Sequence, residues 1–157
     1  MSPHSLLTRR AALQGILLTG AAIPLGLALT TSGNAQGLDH MEIRISFNDT
    51  TMMATLENNP SAWDFASMLP LSGLNIDDYA NNEKISYLPR KLTEEGSGPF
   101  DNERPGDLCY YAPWGNLAFF YAGYRWSNGL IRLGRIDGSF DPLLALGKFP
   151  LSIEFVY

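Results

Sequence analysis

The sequence has 157 residues, 45% of them apolar and 17% charged, with a formal charge of −5. That is one domain's length of chain, apolar enough to fill a core and too ordered in composition for a disordered body. Removing Arg9 and Arg10, which lie in an apolar leader, takes the formal charge to −7, which opposes binding to phosphate backbones and sets nucleic acid aside. Cys109 is the single cysteine, so no intramolecular disulfide forms, and His40 is the only histidine downstream of the leader. Zinc cages that need several such ligands are thereby excluded within one chain, and a Ser-His-Asp triad would have to recruit His40. Neither a metal nor a cofactor is expected. Cys109 reads as a compact core side chain inside a strand, with a reactive thiol as the alternative.

Taken in order, the chain begins with a candidate signal peptide over residues 1–35. Thr8-Arg9-Arg10 precedes a run from Ala11 to Leu29 rich in Ala, Leu and Gly, and Gly33-Asn34-Ala35 offers a small-residue exit. The paired arginines resemble a twin-arginine signal, which implies export to the periplasm or beyond the cell. A membrane anchor is the competing reading if the leader is not cleaved; Pro24 and several glycines interrupt the run. Residues 36–40 form a linker, and residues 41–157 form the domain.

Met41 to Phe47 alternates apolar and polar residues with period two, as a half-buried strand does. Asn48-Asp49 supplies a turn, and Thr51 to Leu56 returns as the second strand of a hairpin. Asn58-Asn59-Pro60-Ser61 starts a helix, whose Ala62, Phe65, Ala66 and Leu69 share one face until Pro70 ends it. Leu71 to Ile76 is a strand closed by Asp77-Asp78-Tyr79. Asn82 to Lys91 reads as a short helical turn and a loop. Thr93 to Pro105, with little periodicity, is the longest loop and is expected to border a site. Leu108 to Ala112, Leu117 to Tyr121 and Leu130 to Ile136 are strands rich in branched and aromatic residues. Asp141-Pro142 with Leu143, Leu144 and Leu146 reads as a helix of one to two turns, and Phe149 to Val156 as the last strand. Many strands, two short helices and no βα repeat predict a mainly β fold, a closed antiparallel barrel capped at its ends.

Four segments carry a family resemblance: MEIRISF at 41–47, DFASMLP at 64–70, DDYANNEKISYLPRKL at 77–92 and GDLCYYAPWGNLAFFY at 106–121. They resemble the small bacterial cyclophilin-like proteins, relatives in fold of the peptidyl-prolyl isomerases. Leu133-Gly134-Arg135-Ile136 with Phe140-Asp141 also resembles the strand-turn-helix near the end of cyclophilins. The resemblance implies an eight-stranded barrel with a helix over each mouth. It also implies a site. In cyclophilins an arginine of a Phe-His-Arg string hydrogen-bonds the proline amide; that string is missing here, and Arg90 is the nearest substitute. Phe119 would stand at the floor of the proline pocket. Leu117 and Leu130 replace the family's glutamine and histidine, and Tyr111 stands near a normally small position.

An isomerase must hold a twisted amide more strongly than a planar one, with a positioned donor. Leu117 and Leu130 remove donors while keeping an apolar cleft. The reading is therefore an exported domain that binds a small molecule or peptide without prolyl isomerase activity. Arg90, Tyr111, Trp114, Asn116 and Phe119 are the candidate ligand-binding residues, and Arg90 is the candidate catalytic residue. The alternative is a weak peptidyl-prolyl isomerase using Arg90 and Phe119; an unknown enzyme using Tyr111 or Cys109 is a third possibility.

Overall fold

The computed structural model describes residues 40–157. The signal, cleavage and twin-arginine readings fall on residues 1–39, outside the described residues. Eight strands run β1 (Met41–Phe47), β2 (Thr50–Leu56), β3 (Leu71–Tyr79), β4 (Glu83–Tyr87), β5 (Asp107–Tyr111), β6 (Asn116–Phe120), β7 (Leu130–Asp137) and β8 (Phe149–Phe155). They close into an antiparallel barrel in the order β1-β2-β7-β5-β6-β4-β3-β8.

Local chemistry sets the first hairpin. Asn48 and Asp49 both take left-handed φ values, 48° and 55°, the conformation that a two-residue hairpin turn demands and that these side chains tolerate. Phe47 then pairs with Thr50 and Met41 with Leu56. The period-two pattern sends Ile43, Ile45, Phe47, Met52, Ala54 and Leu56 into the barrel. Met53, Ala54, Thr55 and Leu56 of β2 pair in turn with β7. Gly134 of β7 stands where two backbones meet: a Cβ there would lie 2.9 Å from the Cα of Leu56.

The helix α1 (Pro60–Ala66) starts as its sequence predicts. Asn59 is the N-cap in extended conformation, and its Oδ1 accepts from the N–H of Ala62 at 2.9 Å, with proline in the first turn. Its Nδ2 donates to the carbonyl of Arg132 at 3.0 Å, so the same side chain fastens the helix to β7. Ala62, Phe65 and Ala66 join the interior cluster and Trp63 points to solvent.

Two expectations are corrected. The segment read as a helical turn and loop is the strand β4. Its Lys84 is fully buried, and its ammonium donates to Asp78 at 2.6 Å and to the carbonyl of Gly147 at 3.2 Å, over the ring of Phe149. A buried lysine with a paired carboxylate satisfies its charge inside the wall, which a polarity pattern alone cannot reveal. The second capping helix is a 3-10 turn of four residues, Asp141–Leu144. Only Leu143 anchors it; Leu144 and Leu146 are exposed, and Ala145 already leaves in extended conformation. One apolar anchor is too little to propagate a helix. The barrel therefore carries one short α-helix and one 3-10 turn.

Candidate functional site

Alternation along the strands gives the wall two faces. On β6, Leu117 and Phe119 enter the main core while Ala118 and Phe120 belong to a second apolar cluster with Cys109 of β5 and Leu130 of β7. Phe100, Tyr111, Tyr124 and Trp126 pack on that cluster from outside. The segment between β6 and β7 folds back over the wall: Tyr124 stacks on Phe120 with ring centroids 3.7 Å apart and planes 6° apart. The indole N–H of Trp126 donates to the carbonyl of Leu130 at 3.0 Å, and its backbone N–H donates to Glu103 at 2.9 Å.

Beneath this segment lies a buried polar anchor. Asp107 is fully buried; its Oδ2 accepts from the Tyr124 hydroxyl at 2.7 Å and from the N–H of Arg104 at 3.1 Å, and its Oδ1 accepts from Arg135 at 2.7 Å. Arg132 stands 3.6 Å away, donates to Glu57 at 2.6 Å and lies over the ring of Phe100. The long loop over 93–105 is thus pinned to β5 and β7 by charge-assisted hydrogen bonds. Burial pushes the Tyr124 phenol well above its ordinary range. Burial does the same to the Cys109 thiol, so this cysteine is an inert member of the outer cluster.

Beside the folded-back segment the wall opens into a cleft of about 320 Å³. Strand pairing builds it. Glu83 of β4 faces Phe120 of β6 on one side and Tyr79 of β3 on the other, and Ile85 faces Ala118. Asn116, Tyr111, Trp114, Tyr124 and Leu130 complete most of the lining. Trp114, in the β5–β6 turn, is 47% exposed and meets two other rings edge to face, Tyr79 at 5.2 Å and 90° and Tyr111 at 5.5 Å and 79°. Asn116 is buried; its Nδ2 donates to the Leu117 carbonyl at 2.9 Å, while its Oδ1 meets no donor among the described residues.

Of the residues singled out in the sequence, the structure brings Tyr111, Trp114 and Asn116 together in this cleft. It places Phe119 in the barrel interior with no exposure. Arg90 lies against α1, its guanidinium bound to both oxygens of Asp64 at 2.7 and 3.1 Å. That guanidinium holds the Asp64 carboxyl below its ordinary value, helped by the N–H of Thr93. The sequence reading missed Tyr79, Glu83, Phe120 and Tyr124. The signal for Phe120 was available: Asn116 and Phe120 are four apart on one strand and share a face, as Asn116 and Phe119 cannot.

Burial raises the Glu83 carboxyl from 4.5 to about 7. The native state then holds a proton between these values that the unfolded chain has released. The part of the stability that this group contributes is therefore fully present below pH 4.5 and is lost as pH rises through 7. Glu83→Gln is expected to flatten this slope and to raise the melting temperature near pH 8 but not near pH 5. Parallel thermal melts of the two proteins at each pH check it, and equal slopes would refute it. Asp64, Asp78 and Glu103 have lowered values, so their losses fall at acid pH outside this window.

Among the described residues no group of three or more His, Cys, Asp or Glu side chains is arranged to hold a metal, and no helix is long and apolar enough to cross a membrane. The model of a family described as the cyclophilin-like family matches residues 45–154. The solution structure of a hypothetical protein from Archaeoglobus fulgidus superposes with a TM-score of 0.62 at 17% identity, covering 78% of this chain and 99% of that one; this likeness speaks to fold alone. Among curated proteins none matches the chain in sequence.

Proposed function

This chain belongs to the cyclophilin-like family, and from that premise we propose that it is an exported binding protein. Its barrel takes a small molecule or a peptide segment into the cleft beside β4 and β6, and it lacks prolyl isomerase activity. One observation carries the reading: Trp114, half-exposed, stands edge-on between Tyr79 and Tyr111 above a cleft walled by Phe120 and Tyr124. Rings left open to solvent beside a concave surface are a common ground plan of ligand sites. The missing activity is supported by the engagement of Arg90 with Asp64, which ties up the guanidinium that the amide would need. Export rests on the Arg9-Arg10 leader, and recovery of the protein with its leader intact inside the cell would overturn that part.

The test is a screen of proline-containing peptides and small aromatic and aliphatic compounds, followed by the amide and indole resonances of the protein. Ligands are expected to shift the Trp114 indole signal, and Trp114→Ala is expected to weaken them about tenfold or more, as a central aromatic contact does. Shifts confined to other surfaces would overturn the cleft. In a prolyl-peptide isomerisation assay the protein is expected to add nothing to the uncatalysed rate. Turnover that Arg90→Ala abolishes would establish the isomerase instead.

A further inference from the structure

The polar groups of the cleft are unbalanced. Glu83 is the only carboxylate in its lining, and among the described residues its side chain makes no hydrogen bond or ion pair. The other charged or titratable side chains of the cleft are Tyr79 from β3, Tyr111 from β5, and Tyr124 and Arg125 from the segment between β6 and β7. Arg125 is exposed, and its charge acts on Glu103. Lys84, next to Glu83 in the chain, turns into the barrel to Asp78. A half-buried carboxylate is thus left beside a set of aromatic rings, with no cation of the described residues hydrogen-bonded or ion-paired to it; Arg125 shares the cleft without pairing with it.

Ring geometry supplies the complementary half. Edge-to-face contacts leave the planes of Tyr79 and Tyr111 at steep angles to that of Trp114. Ring faces carry negative potential and attract cations. A neutral occupant would cover Glu83 further without pairing it, which forces the carboxyl to take up a proton. A cationic occupant meets both the carboxylate and the ring faces.

We propose that the group this cleft receives is an organic ammonium, with Glu83 as its counter-charge and Trp114, Tyr79 and Tyr111 as its aromatic wall. The inference rests on the reading of the cleft as a ligand site. It gives that reading a sign: a cation binds better as Glu83 ionises, whereas a neutral compound of the same shape binds equally or worse.

The experiment pairs isosteres on the folded protein: phenethylammonium against 2-phenylethanol, and choline against 3,3-dimethylbutan-1-ol. Affinities are read from resonance titrations near pH 5.5 and pH 8. For at least one pair the cation is expected to bind about tenfold or more tightly than its neutral partner near pH 8, and to lose that advantage near pH 5.5. Glu83→Gln should abolish the preference near pH 8, so that cation and neutral partner bind alike at both pH values, while leaving the neutral compound's affinity in place. The substitution is isosteric and removes a strained charge, so unfolding would not explain its effect. Equal binding of cation and neutral partner, a preference that survives Glu83→Gln, or no binding by either cation would each overturn the ammonium. The first two would leave the cleft intact as a binding site. The third is separated from a failed cleft by the broader screen, in which other compounds still shift the Trp114 indole.

Discussion

Asp107→Ala is expected to destabilise the domain by about 3–5 kcal/mol, as removal of one partner from a buried ion pair does. The carboxylate is fully enclosed and receives hydrogen bonds from Tyr124, Arg135 and the backbone of Arg104. Without it, Arg135 loses its counter-charge, the mostly buried Arg132 keeps only Glu57, and the Tyr124 hydroxyl loses its acceptor. The damage should not stop at stability. Tyr124 both stacks on Phe120 and bonds Asp107, so the outer segment that walls the cleft loses its anchor as well. Tyr124→Phe, which keeps the ring and deletes the hydroxyl, should cost about 1–2 kcal/mol. Urea unfolding of the two single variants and the double variant measures the coupling. A loss below about 1 kcal/mol for Asp107→Ala would show that the network is replaceable by solvent.

Gly134→Ala is expected to cost about 3 kcal/mol or more, at the upper end of overpacking effects. Gly134 pairs with Leu56 on one side and Leu108 on the other, and an added Cβ would press on the backbone of Thr55 and Leu56. Side chains can rotate away from an added methyl; two paired backbones cannot without breaking the β2–β7 ladder. The alternative residue at that point is none, because the obstruction is main chain. A melting temperature within a few degrees of the parent would mean that the strands part more easily than their packing implies.

How much of this was legible in the sequence depended on where the deciding interaction lay. The first hairpin, the Asn59 cap and Pro60 are local devices, and the sequence announced them because the responsible residues are neighbours. The closed antiparallel barrel was legible in the run of strands without βα repeats, and its count of eight came through the family resemblance, since no pattern within one strand says which strand will be beside it. β4 was lost because its strand character is set by partners on β3 and β6 and by the burial of Lys84 against Asp78, contacts between elements far apart in the chain or hidden under polar names. The lining of the cleft was half legible. Tyr111, Trp114 and Asn116 stood out as aromatics and an amide beside a turn. Phe119 was assigned to the cleft by analogy of motif, and a one-position difference in facing put Phe120 there instead. Arg90 was sought as a lone cation on a loop, whereas Asp64, on the helix before it in the chain, had already engaged it. Glu83 drew no notice because a carboxylate in a polar stretch is ordinary until a strand turns it toward Phe120 and Tyr79.

The ring of strand pairings has a last consequence for recognition. Each strand already has a neighbour on both flanks, so the barrel has no open seam into which an extended peptide could be stitched as a ninth strand. Any polypeptide it holds must be gripped by what protrudes from its backbone.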